Sequence, residues 1–175
     1  ELRVDVAVER ARVVELRHHI AVVGGGPAGL SAAYTAAKAG AKVIVFEKDE
    51  AIAHSVRTSG VTWIDSMESL GIPSRYYNPI HRYRFVSSAN DVLITGTSAK
   101  SCVLDVRSMF QYLASLAAKE GAEMMVKGNV TNVLKDNGRV TGVKASTPKG
   151  DLVVDCTLVI DASGFSSSAA RRAGM

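Results

Sequence analysis

An apolar run, Ile20-Ala21-Val22-Val23, passes directly into Gly24-Gly25-Gly26-Pro27-Ala28-Gly29, and an alanine-rich segment follows at once. The spacing Gly24-x-Gly26-x-x-Gly29 between a strand and a helix is what the pyrophosphate of a dinucleotide requires. Gly24 permits a tight turn. Gly26, lacking a Cβ, lets the backbone approach the phosphates, and Gly29 lets the helix pack closely on the strand. The free N–H groups and the positive dipole end of that helix then face the anion. Ser31 to Ala39 is predicted to be helical, with Gly40 as its C-cap, and Lys42 to Phe46 is predicted to be a second buried strand. Glu47 ends that strand, about 20 residues beyond the glycines, where a carboxylate accepts the hydroxyl hydrogens of an adenosine ribose. An acid there repels a 2′-phosphate, so FAD or NAD is favoured over NADP.

A length of 175 residues is enough for one sizeable core. No apolar run reaches the roughly 18–20 residues of a membrane span, and no short apolar segment with a small-residue cleavage site marks a secretion signal. Cys102 and Cys156 lie far apart in apolar, strand-like surroundings, which predicts two reduced core thiols and a cytoplasmic protein. The net charge of +4 comes from basic residues that are scattered apart from His81-Arg82-Tyr83-Arg84 and Arg171-Arg172. With no basic stripe interleaved with aromatics, nucleic-acid binding is disfavoured. The charge reads instead as accommodation of an anionic cofactor.

Along the rest of the chain, Glu1 to Arg17 fits a strand or a helix and reads as an N-terminal extension or linker. A polar loop, Lys48 to Gly60, contains His54 and Arg57. Trp63 to Gly71 is predicted as a short helix, Ile72 to Ile80 as a loop, and Arg82–Ser88 with Asp91–Thr95 as a hairpin. Cys102 to Leu104 is a strand, Val106 to Glu120 an amphipathic helix, and Ala122 to Val126 a parallel-type strand. Val130–Lys135, Arg139–Ser146 and Asp151–Asp155 form a meander, with Asn137-Gly138 as a strong hairpin signal. Thr157 to Asp161 is a last buried strand that runs into Ala162-Ser163-Gly164, and Ser166 to Arg172 opens a helix. His18 and His19 have no clustered partners for a metal site. Trp63 and Tyr76-Tyr77 are expected to be packing residues.

This order resembles the FAD-dependent oxidoreductases of the geranylgeranyl reductase family, within the para-hydroxybenzoate hydroxylase-like superfamily. The motifs that carry the resemblance are Val22-Val23-Gly24-Gly25-Gly26-Pro27-Ala28-Gly29-Leu30, Glu47-Lys48, Val56-Arg57, Gly138-Arg139-Val140-Thr141-Gly142-Val143 and Val159-Ile160-Asp161-Ala162-Ser163-Gly164. It implies an α/β fold: a Rossmann-like FAD/NAD(P)-binding domain of glutathione-reductase type over residues 18–175, with an inserted antiparallel β-meander and most of the substrate domain absent. It further implies that Gly24, Gly26, Pro27, Ala28 and Gly29 wrap the FAD pyrophosphate. Glu47, with Lys48 beside it, holds the ribose. Val130 meets the adenine edge, Arg57 and Arg107 approach the cofactor, and Asp161 and Gly164 make a second FAD contact. NAD(P)H is the candidate reductant and an apolar, isoprenoid-like molecule the candidate substrate, with peripheral membrane contact through a lipid substrate. The missing C-terminal part or another subunit is a further candidate partner. The sequence departs from the family at Val56-Arg57-Thr58-Ser59-Gly60, where the family has a cysteine after the arginine, and Arg107 is one residue closer to Gly121 than in the family. Flavin-dependent monooxygenases or halogenases, and a non-catalytic dinucleotide-binding module, are the alternative readings. No catalytic acid or base is assigned.

Overall fold

The computed structural model describes residues 14–175, so the alternation over Arg3 to Val6 lies outside the described residues. The elements run β1 (Val14–Arg17), β2 (Ile20–Val23), α1 (Pro27–Lys38), β3 (Val43–Phe46), β4 (Val61–Trp63), α2 (Ile64–Ser69), β5 (Tyr77–Ile80), β6 (Arg82–Val86) and β7 (Asp91–Thr95). They continue with β8 (Ser101–Leu104), α3 (Val106–Lys119), β9 (Glu123–Met125), β10 (Asn129–Asp136), β11 (Arg139–Thr147), β12 (Gly150–Asp155), β13 (Leu158–Asp161) and α4 (Ser168–Arg172). The chain divides into two compact units. One holds the residues up to Ile52 together with Ala114–Met175, and the other is Ala53–Leu113.

The first unit is layered. Its central sheet is parallel, in the order β13-β2-β3-β9, with Ile20 beside Val43 and Leu158 beside Ile20. Both faces of this sheet are covered, which is why β2 and β3 read as continuous apolar runs. Alternation sends Val22, Val43 and Val45 to one face, where they pack with Ala33, Ala37 and Ala117. Small alanines bring helix and sheet close together. Ala21, Val23, Ile44 and Phe46 take the other face and pack with Val130, Val143, Ala145 and Val154 of the meander. The meander sheet has the order β1-β12-β11-β10, and β1 joins it parallel to β12. Its tight turn uses Asn137 and Gly138, both at positive φ (49° and 79°), as an Asn-Gly hairpin requires. The fold is thus the Rossmann-like FAD-binding type with an antiparallel meander. Cys156, in the core of this unit, and Cys102, in the other, are both free thiols, and burial pushes the pKa of each up.

The second unit is smaller. β4, β8 and β5 form an antiparallel sheet, and β6 pairs with β7 as a hairpin. Met67, Ile72, Cys102 and Met109 make its core, flanked by the stacked rings of Tyr76 and Tyr112, 4.9 Å apart. Two sequence expectations are corrected here. Tyr77–Ile80, expected as loop, is a strand. Pro79 is tolerated because β5 is an edge strand, paired only to β8. Trp63, expected to pack, is 64% exposed, because it ends a short strand before α2 rather than facing the core.

Candidate functional site

The glycine loop is held by contacts that forbid side chains at two positions and leave the third open. Gly24 turns out of β2 at φ 115°, and a Cβ there would stand 2.3 Å from the carbonyl oxygen of Ala162. A Cβ at Gly29 would stand 2.1 Å from the carbonyl oxygen of Gly24. A Cβ at Gly26 would meet nothing within 4 Å. The loop is therefore packed tightly from below, and its second glycine opens on space, as an approaching phosphate needs.

α1 begins at Pro27, which has no N–H to satisfy, and the first intrahelical bond runs from Leu30 N–H to the Gly26 carbonyl. No side chain caps this helix and no acidic residue lies in its first turn. The N–H groups of Ala28 and Gly29 are first-turn donors with no intrahelical acceptor. Pro27 and Ala28 are exposed. This start of α1 has the donors and the dipole sign of an anion site.

Glu47 lies at the end of β3, beside the loop. Gly25 N–H donates to its Oε2 at 2.9 Å, and Asp49 N–H donates to its Oε1 at 2.9 Å. Each carboxylate oxygen keeps a second acceptor site, so the acid is fixed in orientation and still able to receive hydroxyl hydrogens. Ile52 closes one side, 2.5 Å from where a Cβ of Gly25 would be. Gly25 and Ile52 are neighbours of Glu47 that the motif did not single out. The triple glycine and the apolar residue after the acid were their only signal. Lys48 is exposed next to Glu47. Backbone bonds from Gly128 N–H to the Glu47 carbonyl and from Glu47 N–H to the Met125 carbonyl (2.9 Å each) tie this corner to the segment that leads into β10. There Val130 is 3% exposed.

Asp161 ends β13. Its Oδ1 accepts Ser163 N–H at 2.9 Å and its Oδ2 accepts Ala170 N–H at 2.7 Å, while Ser163 Oγ accepts Ser168 N–H at 2.7 Å. Both residues thus cap α4. Burial alone would raise the pKa of this carboxyl, but these donors outweigh it and hold it below its ordinary value. Gly164 follows at φ 72° with open space around it.

The structure thus gathers Gly24, Gly26, Pro27, Ala28, Gly29, Glu47, Lys48, Val130, Asp161 and Gly164 into the first unit. Arg57 and Arg107 belong to the second unit. Both are exposed, and Arg107 Nη2 donates to the carbonyl of His54 at 3.4 Å. Among the described residues no group of His, Cys, Asp and Glu could hold a metal ion, and no helix is long and apolar enough to cross a membrane.

Known proteins match this arrangement. The chain is 33% identical over 168 residues to the digeranylgeranylglycerophospholipid reductase of Thermoplasma acidophilum, covering 90% of this chain and 42% of that protein. It is 31% identical over 170 residues to the enzyme of the same name from Picrophilus torridus, covering 93% and 43%. The solved structure of a geranylgeranyl bacteriochlorophyll reductase-like protein from Thermoplasma acidophilum superposes with a TM-score of 0.83 at 30% identity, covering 92% of this chain and 43% of that one. A myxobacterial chondrochloren halogenase shares the fold, with a TM-score of 0.71 at 18% identity over 90% of this chain and 39% of its own. The chain therefore spans less than half the length of these relatives. The model of the FAD dependent oxidoreductase family matches residues 19–175, and this chain belongs to that family.

Proposed function

We propose that this chain is the FAD-binding part of a flavin-dependent reductase that acts on an apolar, isoprenoid-like lipid. The observation that carries the reading is the open start of α1: donors without caps, a glycine whose missing Cβ faces open space, and an acid fixed beside it. Bound there, FAD would supply two-electron redox chemistry by hydride transfer. The chain's own residues bind and orient. Within Gly24 to Gly29, the backbone N–H groups of Gly26, Ala28 and Gly29 receive the pyrophosphate, those of Gly24 and Gly25 being taken by the Phe46 carbonyl and Glu47, and Glu47 accepts the ribose hydroxyls with Lys48 alongside. Val130 offers its strand backbone to the adenine edge, and Asp161 and Gly164 hold the second strand end against the cofactor. Arg57 and Arg107 are assigned to the flavin side through the family resemblance, as is NAD(P)H as electron donor. The isoprenoid substrate rests on the named activity of the Thermoplasma and Picrophilus relatives.

Titration of the purified protein with FAD tests this reading. Yellow, protein-bound flavin at a saturating ratio of one per chain is expected. Gly26 has φ −80° and ψ 178°, a conformation open to alanine, so Gly26→Ala should fold normally. Its methyl would occupy the phosphate approach and should weaken FAD binding about tenfold or more, as loss of one charge-assisted hydrogen bond does. A colourless protein that takes up no FAD, or equal FAD affinity in Gly26→Ala, would overturn the assignment.

A further inference from the structure

Five basic residues of the first unit come together at the end of the sheet opposite the glycine loop. Arg17, His18 and His19 precede β2, Lys42 precedes β3, and Arg139 opens β11. All five line one cavity of about 720 Å³. The parallel strands β2, β3 and β13 begin at this end and deliver Gly24, Glu47 and Ala162 at the opposite one.

Three fixed cations, Arg17, Lys42 and Arg139, stand in this cavity against one carboxylate, Asp155. That acid approaches only Arg17, at 3.9 Å, and both side chains are solvated, so the pair neutralises little. His19 adds a neutral donor. Its Nδ1 accepts the Lys42 backbone N–H at 2.9 Å, so the hydrogen of the neutral ring resides on Nε2. His18 adds nothing to this set: its side chain is 1% exposed and its Nε2 lies 3.2 Å from Glu123 Oε1, so the imidazole is out of reach of a ligand in the cavity.

We propose that this cavity is a second anion site, separate from the glycine loop, that takes a phosphate-bearing small molecule. Two surplus positive charges call for a ligand of matching charge. A carboxylate neutralises one, whereas a phosphate monoester carries about −1.5 to −2 at neutral pH and offers several acceptor oxygens. Arginine forks and a lysine ammonium are the usual donors to such a group. The phosphate belongs either to a free phosphorylated metabolite or to a phospholipid headgroup.

The test follows the imidazole NMR signals of His19 in FAD-saturated protein, so that the glycine loop is already filled. Should the protein take up no FAD, the Gly26→Asp variant, with a carboxylate at the start of α1, replaces it and keeps the two sites apart. One arm titrates inorganic phosphate. The other adds phosphatidylcholine vesicles carrying phosphatidic acid. A saturable shift is expected in at least one arm, and which arm responds identifies the source of the phosphate. Lys42→Gln and Arg139→Gln remove exposed side chains outside the core, and circular dichroism checks their fold. Each should weaken the response about tenfold, the loss of one charge-assisted contact. No saturable shift in either arm, or an undiminished one in the double variant, would sink the proposal.

Discussion

Two strands of the parallel sheet lead into helices in opposite ways. β2 enters α1 through glycines, and no side chain satisfies the first turn. β13 enters α4 through Ala162 to Ser167, and Asp161 and Ser163 take the N–H groups of Ala170 and Ser168. α3 resembles α4 in this respect: Asp105 accepts Ser108 N–H at 3.2 Å and Ser108 Oγ at 2.6 Å. An N-cap typically stabilises a helix by about 1 kcal/mol. The first helix forgoes that gain, and its donors stay available to an external anion. Of the two strand-to-helix turns at α1 and α4 in the first unit, the uncapped one is the proposed cofactor site.

Substitutions can break this contrast. Gly29→Ala should have the largest effect. Its methyl would collide with the Gly24 carbonyl at 2.1 Å, and a loss of about 3 kcal/mol or more is expected in urea unfolding. Wild-type stability in that variant would mean the loop is not packed from below. Gly26→Asp turns α1 into a capped helix. FAD affinity should fall about a hundredfold from lost donors and added negative charge, while stability rises by a few tenths of a kcal/mol. Calorimetric titration and a melting curve on the same sample read both, and a simultaneous loss of stability would refute the capping logic. The converse change, Asp161→Ala, should cost about 1–2 kcal/mol and speed amide exchange at Ala170. Smallest is a pH effect. The folded Asp161 carboxyl sits below its ordinary 3.8, so its stabilisation is present above that value and lost as pH falls through the lower folded one. Melting temperature between pH 5 and pH 2 should fall less in Asp161→Asn than in wild type (about the range over which the carboxyl protonates).

Much of this contrast was legible in residue order. Glycine spacing, the acid after the second strand, and Asn137-Gly138 are local chemical requirements, and local requirements survive into the fold. Tertiary decisions were not legible. Tyr77–Ile80 becomes a strand only because β8 offers it an edge, and nothing in Tyr-Asn-Pro-Ile announces that. Val14–Arg17 takes the extended form through pairing with β12, far along the chain. The motif named Asp161 as a cofactor contact, but which backbone donors it holds depends on where α4 folds back. Reading the net positive charge as cofactor accommodation rested on composition, which carries no positions; the cavity at the far end of the sheet shows where five basic side chains lie.

The carbonyl of Ala162, on which Gly24 rests, has a consequence for biosynthesis. β2 is translated well before its neighbour β13 and before Ala162, which supports its turn. Until Leu158–Asp161 leaves the ribosome, β2 keeps an unpaired apolar edge, a hazard that nascent chains meet with chaperones. The glycine loop therefore takes its final shape only after Ala162 has been made.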